Sequence, residues 1–510
     1  MSVRVRYAPS PTGSPHVGNI RTALFDYLIA RKLGGSMIVR IEDTDRTRYV
    51  EGCEEEILDS LKWIGISHDE GPDVGGMCEP YRQAERKEAG IYQPIIDKML
   101  AEGIVYKAFE TPQELEEMRE FQQINKQPLG YYGGSWRDAS PEAVAEAESA
   151  GKPHVLRLKM PRNRKLVCQD AIRGRIEWDS SASDDPVLIK ADGMPTYHFA
   201  AMVDDHLMKI THIIRGEEWI SSAPKHVWLF EAMGWTPPIF VHVPVINGKD
   251  GKKLSKRHGD TKCLDFRSAG YLPEALANFI ALIGWAPGGD REIMPMPELI
   301  EAFDLSGLQP SPGVFDPDKL NWMNGNYIRA MEVSAIADAI VALSQIPDTK
   351  AYWTDETRKE LPTWDDTELL VSTLAKDREY ALQAIALEQE RVVTLMDFGT
   401  ACRFFFVSKV EFDKAAVDKW KGQAHIEELL DRVADEVAGF GDHIDAASCE
   451  KIIRDYAAFK TFEKLGPVVH PIRIALTGKT VGPGLFELMA ALGPKRMIQR
   501  LAEAKAVLLD

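Results

Sequence analysis

The chain opens on an alternation. Val3-Arg4-Val5-Arg6-Tyr7 sends apolar and polar side chains to opposite faces, the period-two pattern of a half-buried strand. Ala8-Pro9-Ser10-Pro11-Thr12-Gly13 follows and is too rich in Pro and Gly to continue a regular element. Val17, Ile20, Leu24 and Leu28 then recur at spacings of three and four, one apolar helix stripe. Ser14 suits the N-cap of that helix, Pro15 its first turn, and Leu33-Gly34-Gly35 its close. Met37 to Ile41 reads as the next strand. Strand, tight turn, helix and strand make a βαβ unit of an open parallel sheet.

The α/β pattern covers residues 1–80 and returns over 186–250, with strands expected at Thr211–Arg215 and Ile239–Ile246. Residues 81–185 between them read as an insertion of mixed pattern. Glu110 to Asn125 looks helical and charged there, and Gln127 to Trp136 turn-like. After a segment over 251–332, residues 333–510 read as nearly all helix, with joints at Ile346-Pro347 and Leu361-Pro362. The expected architecture is therefore α/β, a Rossmann-type parallel-sheet domain carrying an insertion, followed by an all-α C-terminal region.

No apolar run approaches the roughly 20 residues of a membrane helix, and Met1 to Tyr7 reads as a strand, not as a signal segment. A cytoplasmic protein without a membrane partner is expected. The six cysteines form no C-x-x-C pair, so reduced thiols are expected and no zinc or disulfide framework. A formal net charge of −17 argues against a nonspecific nucleic-acid coat, and no DNA partner is expected. It leaves room for one folded RNA gripped through local basic patches.

Two segments carry candidate chemistry. Ser10-Pro11-Thr12-Gly13-Ser14-Pro15-His16-Val17-Gly18-Asn19 joins the carboxyl end of a strand to a helix N-terminus, where free amides and the dipole suit phosphate. Gly13 and Gly18 permit close backbone approach, and His16 could hydrogen-bond a phosphate or bridging oxygen. Taken alone, the stretch reads equally as a Pro/Gly turn with an exposed histidine. Lys252-Lys253-Leu254-Ser255-Lys256-Arg257 places four cations in six residues, between Gly248/Gly251 and Gly259. Such a loop suits charge building on phosphate oxygens, or is simply a solvated basic loop.

Together and in this order, His16-Val17-Gly18-Asn19 and Lys253-Leu254-Ser255-Lys256-Arg257 resemble the HIGH and KMSKS signatures of class I aminoacyl-tRNA synthetases. The fourth residue of the first signature is Asn where the family has His; Asn still donates a hydrogen bond but cannot titrate. The flanks narrow the resemblance to glutamyl-tRNA synthetases of bacterial type. These are Arg6 to Gly13, Arg21-Thr22-Ala23-Leu24, Arg40 to Asp45, Val203 to Met208, Ile213 to Trp219, Val314-Phe315-Asp316, Leu320 to Gly325 and Pro483 to Leu488.

The resemblance implies ATP-dependent attachment of L-glutamate to tRNA(Glu) in two steps. Glutamyl-adenylate forms first, with release of diphosphate; tRNA then takes the glutamyl group and AMP leaves. It implies a glutamate pocket of Arg6, Ala8, Ser10, Glu42, Tyr197 and Arg215. There Arg6 and Arg215 would fork onto carboxylates, Glu42 would take the ammonium, and Tyr197 would face the side-chain carboxylate. Which arginine meets which carboxylate stays open. ATP would lie on Pro11, Thr12, Gly13, His16, Gly18 and Asn19, with Glu218 and Trp219 near the nucleoside and Val245 and Ile246 flanking adenine. His16, Lys253 and Lys256 would be catalytic, with Mg2+ carried by ATP and no metal ligand from the protein. Members of the family generally need tRNA for the first step.

The 81–185 insertion would hold the acceptor end. It carries no cysteine between Tyr106 and Ser135, so no zinc is expected. Residues 251–332 would contact the tRNA stem, and 333–510 the anticodon, with Arg391 reading a base or simply pairing with Glu388 or Glu390. A monomer is expected. A form that also glutamylates tRNA(Gln), a tRNA-binding paralogue without catalysis, and an H-x-G-H nucleotidyltransferase remain as alternatives; a glutamine-specific enzyme fits the helical C-terminal third less well.

Overall fold

The alternating opening forms strand β1 (Arg4–Tyr7), which pairs in parallel with β2 (Ser36–Val39) in the register Val5↔Met37 and Tyr7↔Val39. Helix α1 (Val17–Lys32) connects them and buries Val17, Ile20, Leu24 and Leu28, the stripe read from the sequence. Its start differs from expectation. His16, not Ser14, is the N-cap: the imidazole Nδ1 accepts from Gly18 N at 3.0 Å, and Asn19 Oδ1 accepts from His16 N at 3.4 Å. A capping box needs an acceptor at the cap and a side chain three residues on that reaches back, and the His16–Asn19 pair supplies both. Pro15 stays outside the helix, its carbonyl accepting from Cys263 N at 3.0 Å.

The computed structural model describes residues 2–255, 257, 261–355 and 364–509, and divides into two units. One comprises Met1–Leu264 with Leu276–Pro317, the other Asp265–Ala275 with Asp318–Asp510.

In the first unit, β3 (Lys165–Asp170), α2 (Tyr197–Leu207), β4 (His212–Gly216), α3 (Ala223–Ala232) and β5 (Ile239–Val243) complete the α/β layer. Strand β5 runs parallel to both β3 and β4, and β3 pairs antiparallel with Gly174–Asp179 at the edge. The register sets Arg215 opposite His242. Strand β1 meets the start of β4 through Thr211 N, which donates to Arg4 O at 2.8 Å. Strand β3 falls within the 81–185 range yet joins this sheet. The strands Val105–Ala108, Val155–Leu158 and Val187–Ile189 form a separate antiparallel sheet. Helix α2 is buried on the face that carries Asp204 and Asp205. Asp204 accepts from Arg86 (2.7 Å), Gln83 (2.9 Å) and Tyr92 (2.9 Å), fastening residues 83–92 to α2.

The second unit is helical around one core that includes Ile340, Leu370, Ile385, Phe398, Phe405, Val433, Met489 and Leu501. Pro347 begins the helix Pro347–Trp353, as its missing N–H allows; the joint at Leu361-Pro362 lies outside the described residues. Among the described residues no helix is long and apolar enough to cross a membrane.

Gly478 shows how tightly this unit is fitted. It ends the helix Gly466–Thr477 at φ 76°, bonds Ile474 O through its N–H at 2.7 Å, and accepts from Asp413 N at 2.9 Å. A Cβ there would lie 2.0 Å from the Glu411 carbonyl oxygen. Gly478→Ala is therefore expected to cost about 2 kcal/mol or more in urea unfolding. Gly466→Ala, whose Cβ would meet nothing nearer than His470 at 3.6 Å, is the control and should change little.

Candidate active site

The parallel strands end at a cavity of about 1140 Å³ in the first unit. The turn after β1 forms one wall: Ala8, Ser10, Thr12, Gly13, His16, Gly18 and Asn19 all line it. Pro11 does not; it is buried behind the turn, its carbonyl accepting from Val50 N at 2.9 Å. Because Gly18 N donates to His16 Nδ1, the neutral ring carries its proton on Nε2. Partial desolvation at the cavity wall, with the nearby Lys253, lowers the His16 pKa, which favours that neutral form. A Cβ on Gly18 would sit 2.8 Å from His16 Cε1, so glycine leaves the ring its place over the helix end.

The opposite wall holds Val245, Ile246, Lys253, Leu254 and Ser255. Leu254 N bonds Ile246 O (2.9 Å) and Gly248 N bonds Lys252 O (2.8 Å), folding residues 246–254 back on themselves. The segment beyond then binds the first turn, with Val17 N donating to Thr261 O at 2.9 Å. Lys253 thus faces the same space as His16. Lys256 lies outside the described residues. Glu218 and Trp219 line the cavity from the short helical turn after β4. Trp219 packs its ring on Tyr197, centroids 4.1 Å apart. Neighbouring Glu217 accepts from Val245 N at 2.9 Å and fixes that wall.

Arg6, Glu42, Tyr197 and Arg215 meet deeper in the same cavity. The two arginines are held differently. Arg6 is paired within the protein: Nε donates to Asp205 Oδ1 at 3.0 Å and Nη1 to Ile214 O at 3.2 Å. Arg40, fully buried, bridges Asp205 (2.8 Å) and Glu42 (3.0 Å). Burial pushes the Asp205 pKa up, but Arg6 and Arg40 outweigh it and hold the carboxyl below its usual range. At Glu42 burial prevails over Arg40 and Arg6, and the pKa rises.

Among the described residues no carboxylate lies within ion-pair distance of Arg215. Nε donates to His242 Nε2 at 3.0 Å, Nη1 meets His226 Nδ1 at 3.0 Å, and Nη2 has no acceptor of its own, with Tyr197 adjacent. His242 Nδ1 lies 2.7 Å from Asp170 Oδ2, and His198 Nδ1 lies 3.0 Å from His226 Nε2. Burial lowers the pKa of all three histidines, that of His198 to about 4. Among the described residues no group of three His, Cys, Asp or Glu could hold a metal ion.

The sequence profile described as "tRNA synthetases class I (E and Q), catalytic domain" matches residues 2–322, and one described as "Anticodon binding domain" matches 354–505. Glutamate–tRNA ligases of Elusimicrobium minutum and Thermus thermophilus are 40% and 41% identical to the chain. The matches cover 99% of the chain in both cases, and 99% and 100% of those proteins. The chain belongs to the glutamate–tRNA ligases, class I aminoacyl-tRNA synthetases. A solved glutamate–tRNA ligase of Elizabethkingia meningosepticum, in complex with its amino acid, shares 35% identity with a TM-score of 0.86 over 100% of both chains. One from Elizabethkingia anophelis shares 36% with a TM-score of 0.83 over 99% of both. Ligases of this class use ATP, and the anticodon-binding region gives this one a tRNA partner.

In the ligase's helical unit, Arg391 Nε stands 3.3 Å from Glu388 Oε2, so the pairing left open by the sequence is present. Burial pushes the Glu388 carboxyl up to about 7 despite Arg391, Lys479 and Arg473. A carboxyl whose pKa rises on folding stabilises the fold at low pH, and that contribution is lost as pH climbs from about 4.5 to 7. Glu388→Gln should therefore gain on wild type across this window, by roughly 2–3 kcal/mol at most, in urea melts at pH 5 and pH 8. Gly18→Ala should lower kcat for charging, roughly tenfold or more, by displacing His16, and should cost about 1 kcal/mol in urea melts through the lost cap of α1.

Proposed function

We propose that the cavity attaches glutamate to tRNA(Glu) in two steps. A glutamate α-carboxylate oxygen attacks the α-phosphorus of ATP; the bond to the β-phosphate breaks and diphosphate leaves. A terminal ribose hydroxyl of tRNA then attacks the activated carbonyl, and AMP departs. One observation carries this reading: a single cavity gathers Arg6, Glu42, Tyr197 and Arg215 at one end with His16, Lys253 and the helix N-terminus at the other.

Catalysis would rest on alignment and charge stabilisation, with no covalent intermediate on the protein. His16, donating from Nε2, and Lys253 face the phosphates, and Lys256 is assigned there from its motif position. Trp219, Glu218, Val245 and Ile246 take the nucleoside. Glu42 takes the ammonium with Ser10 and the Ala8 carbonyl. Arg215, the buried cation without a carboxylate, takes the side-chain carboxylate together with Tyr197, while Arg6, already on Asp205, supports it. Magnesium arrives with ATP, and no step here runs through it. Residues 81–185 would hold the acceptor end, 251–332 the stem and 333–510 the anticodon.

The test is charging of tRNA-Glu and tRNA-Gln transcripts with glutamate. Arg215→Ala should raise KM for glutamate by roughly 100-fold or more, and Lys253→Ala and Lys256→Ala should cut kcat by roughly 100-fold. Charging of tRNA-Glu alone fits the strict ligase, and charging of both fits the relaxed form. Transcript binding without any charging would sink the catalytic assignment.

A further inference from the structure

The imidazoles behind Arg215 take part in none of these steps, yet their order is fully determined. An arginine only donates, so His242 Nε2 and His226 Nδ1 must both accept. His242 then carries its proton on Nδ1, facing Asp170 Oδ2 at 2.7 Å. Asp170 is fixed in turn by the amides of Ile172 (2.9 Å), Arg173 (2.8 Å) and His242 (3.1 Å). His226 carries its proton on Nε2 and donates to His198. His226 and His242 are wholly buried. They come from α3 and β5, so Arg215 is gripped at two nitrogens from two separate elements.

The other buried arginines nearby are treated otherwise. Arg6 and Arg40 rest on Asp205, and Arg86 on Asp204 at 2.7 Å. Among these four, only at Arg215 do neutral rings satisfy the donors while leaving the charge in place, and a buried charge without a counter-ion is costly. Glutamate would supply that counter-ion. Glutamine offers the same shape and an oxygen, but no charge.

We propose that His226 and His242, the latter oriented by Asp170, are positioning residues that present Arg215 with no carboxylate in direct contact, so that the pocket selects an anionic side chain over its neutral amide isostere. The inference rests on Arg215 being the side-chain carboxylate ligand. The selectivity belongs to the acceptors' neutrality as much as to the arginine.

The experiment compares two substitutions at one site in the full-length enzyme. His226→Asn puts a neutral amide oxygen where Nδ1 stands; His226→Asp puts a carboxylate there. Charging of tRNA-Glu is followed as glutamate KM, kcat and inhibition by glutamine. The Asn variant should stay within about threefold of wild type in KM. The Asp variant should raise KM roughly 30–100-fold with kcat changed far less, and glutamine should inhibit it relatively better. Should His226→Asp fail to fold, the pair His242→Gln and His242→Glu asks the same question at the other nitrogen. Equal effects of the neutral and acidic substitutions, or an acidic variant with wild-type KM and discrimination, would overturn the proposal. Arg215→Ala separates the two failures: if it leaves KM unchanged, the ligand assignment itself is wrong. If it raises KM while His226→Asp does not, only the positioning role falls.

Discussion

One fully buried carboxylate, Asp205, ties the amino-acid end of the cavity together. Its Oδ1 accepts from Arg6 on β1 and from Arg40 just beyond β2, while the residue itself sits on α2. Removing one member of such a group leaves the others charged and unpaired in the interior, a loss on the order of 3–5 kcal/mol. The positions of Arg6 and Glu42 follow from it. Arg6 is drawn to the sheet by Asp205 and the Ile214 carbonyl, and Glu42 is reached through the second fork of Arg40. Three elements distant in sequence are thereby fixed in register where the strands end.

The phosphate-facing end is built on backbone hydrogen bonds. His16 is at once the helix cap and a wall of the cavity, so the group proposed to face phosphate cannot move without uncapping α1. The hairpin over 246–254 brings Lys253 opposite, and residues 261–263 return to bond the backbone on either side of His16. The first turn is held by backbone bonds to residues 261–263, which follow the basic loop more than two hundred residues on. Charges alone would not hold turn and loop in place at physiological ionic strength.

What could be read from the sequence was local. The opening βαβ unit was legible in the spacing of Val17, Ile20, Leu24 and Leu28, and the two motifs in clusters whose chemistry is unusual over a few residues. Ser14 misled because capping preference favours hydroxyls, whereas the three-residue step from His16 to Asn19 decided the matter. Strand Lys165–Asp170 was hidden in a stretch read as insertion, since nothing in it announces a partner seventy residues on. Asp170, His198, His226 and His242 carried no signal: they lie far apart in the chain and fall in no motif. Their meaning arises from register, with Arg215 opposite His242 on adjacent strands and Asp170 at the end of a third. Arg40 and Asp205 stood inside quoted motifs, but their pairing is a tertiary fact.

The net charge of −17 and a tRNA partner are reconciled on the scale of single clusters. Net charge governs long-range approach, whereas a bound phosphate or base senses the charges within about one Debye length. In the helical unit Arg391, Arg473 and Lys479 all act on Glu388, which is almost wholly buried and pushed up to about 7. A carboxyl that close to neutrality contributes only part of a negative charge, so the basic groups around it are incompletely cancelled. Arg391 meets Glu388 through Nε. An RNA base edge or phosphate arriving there would favour ionised arginine over ionised glutamate. The acidic surplus elsewhere on the chain discourages nonspecific polyanion binding.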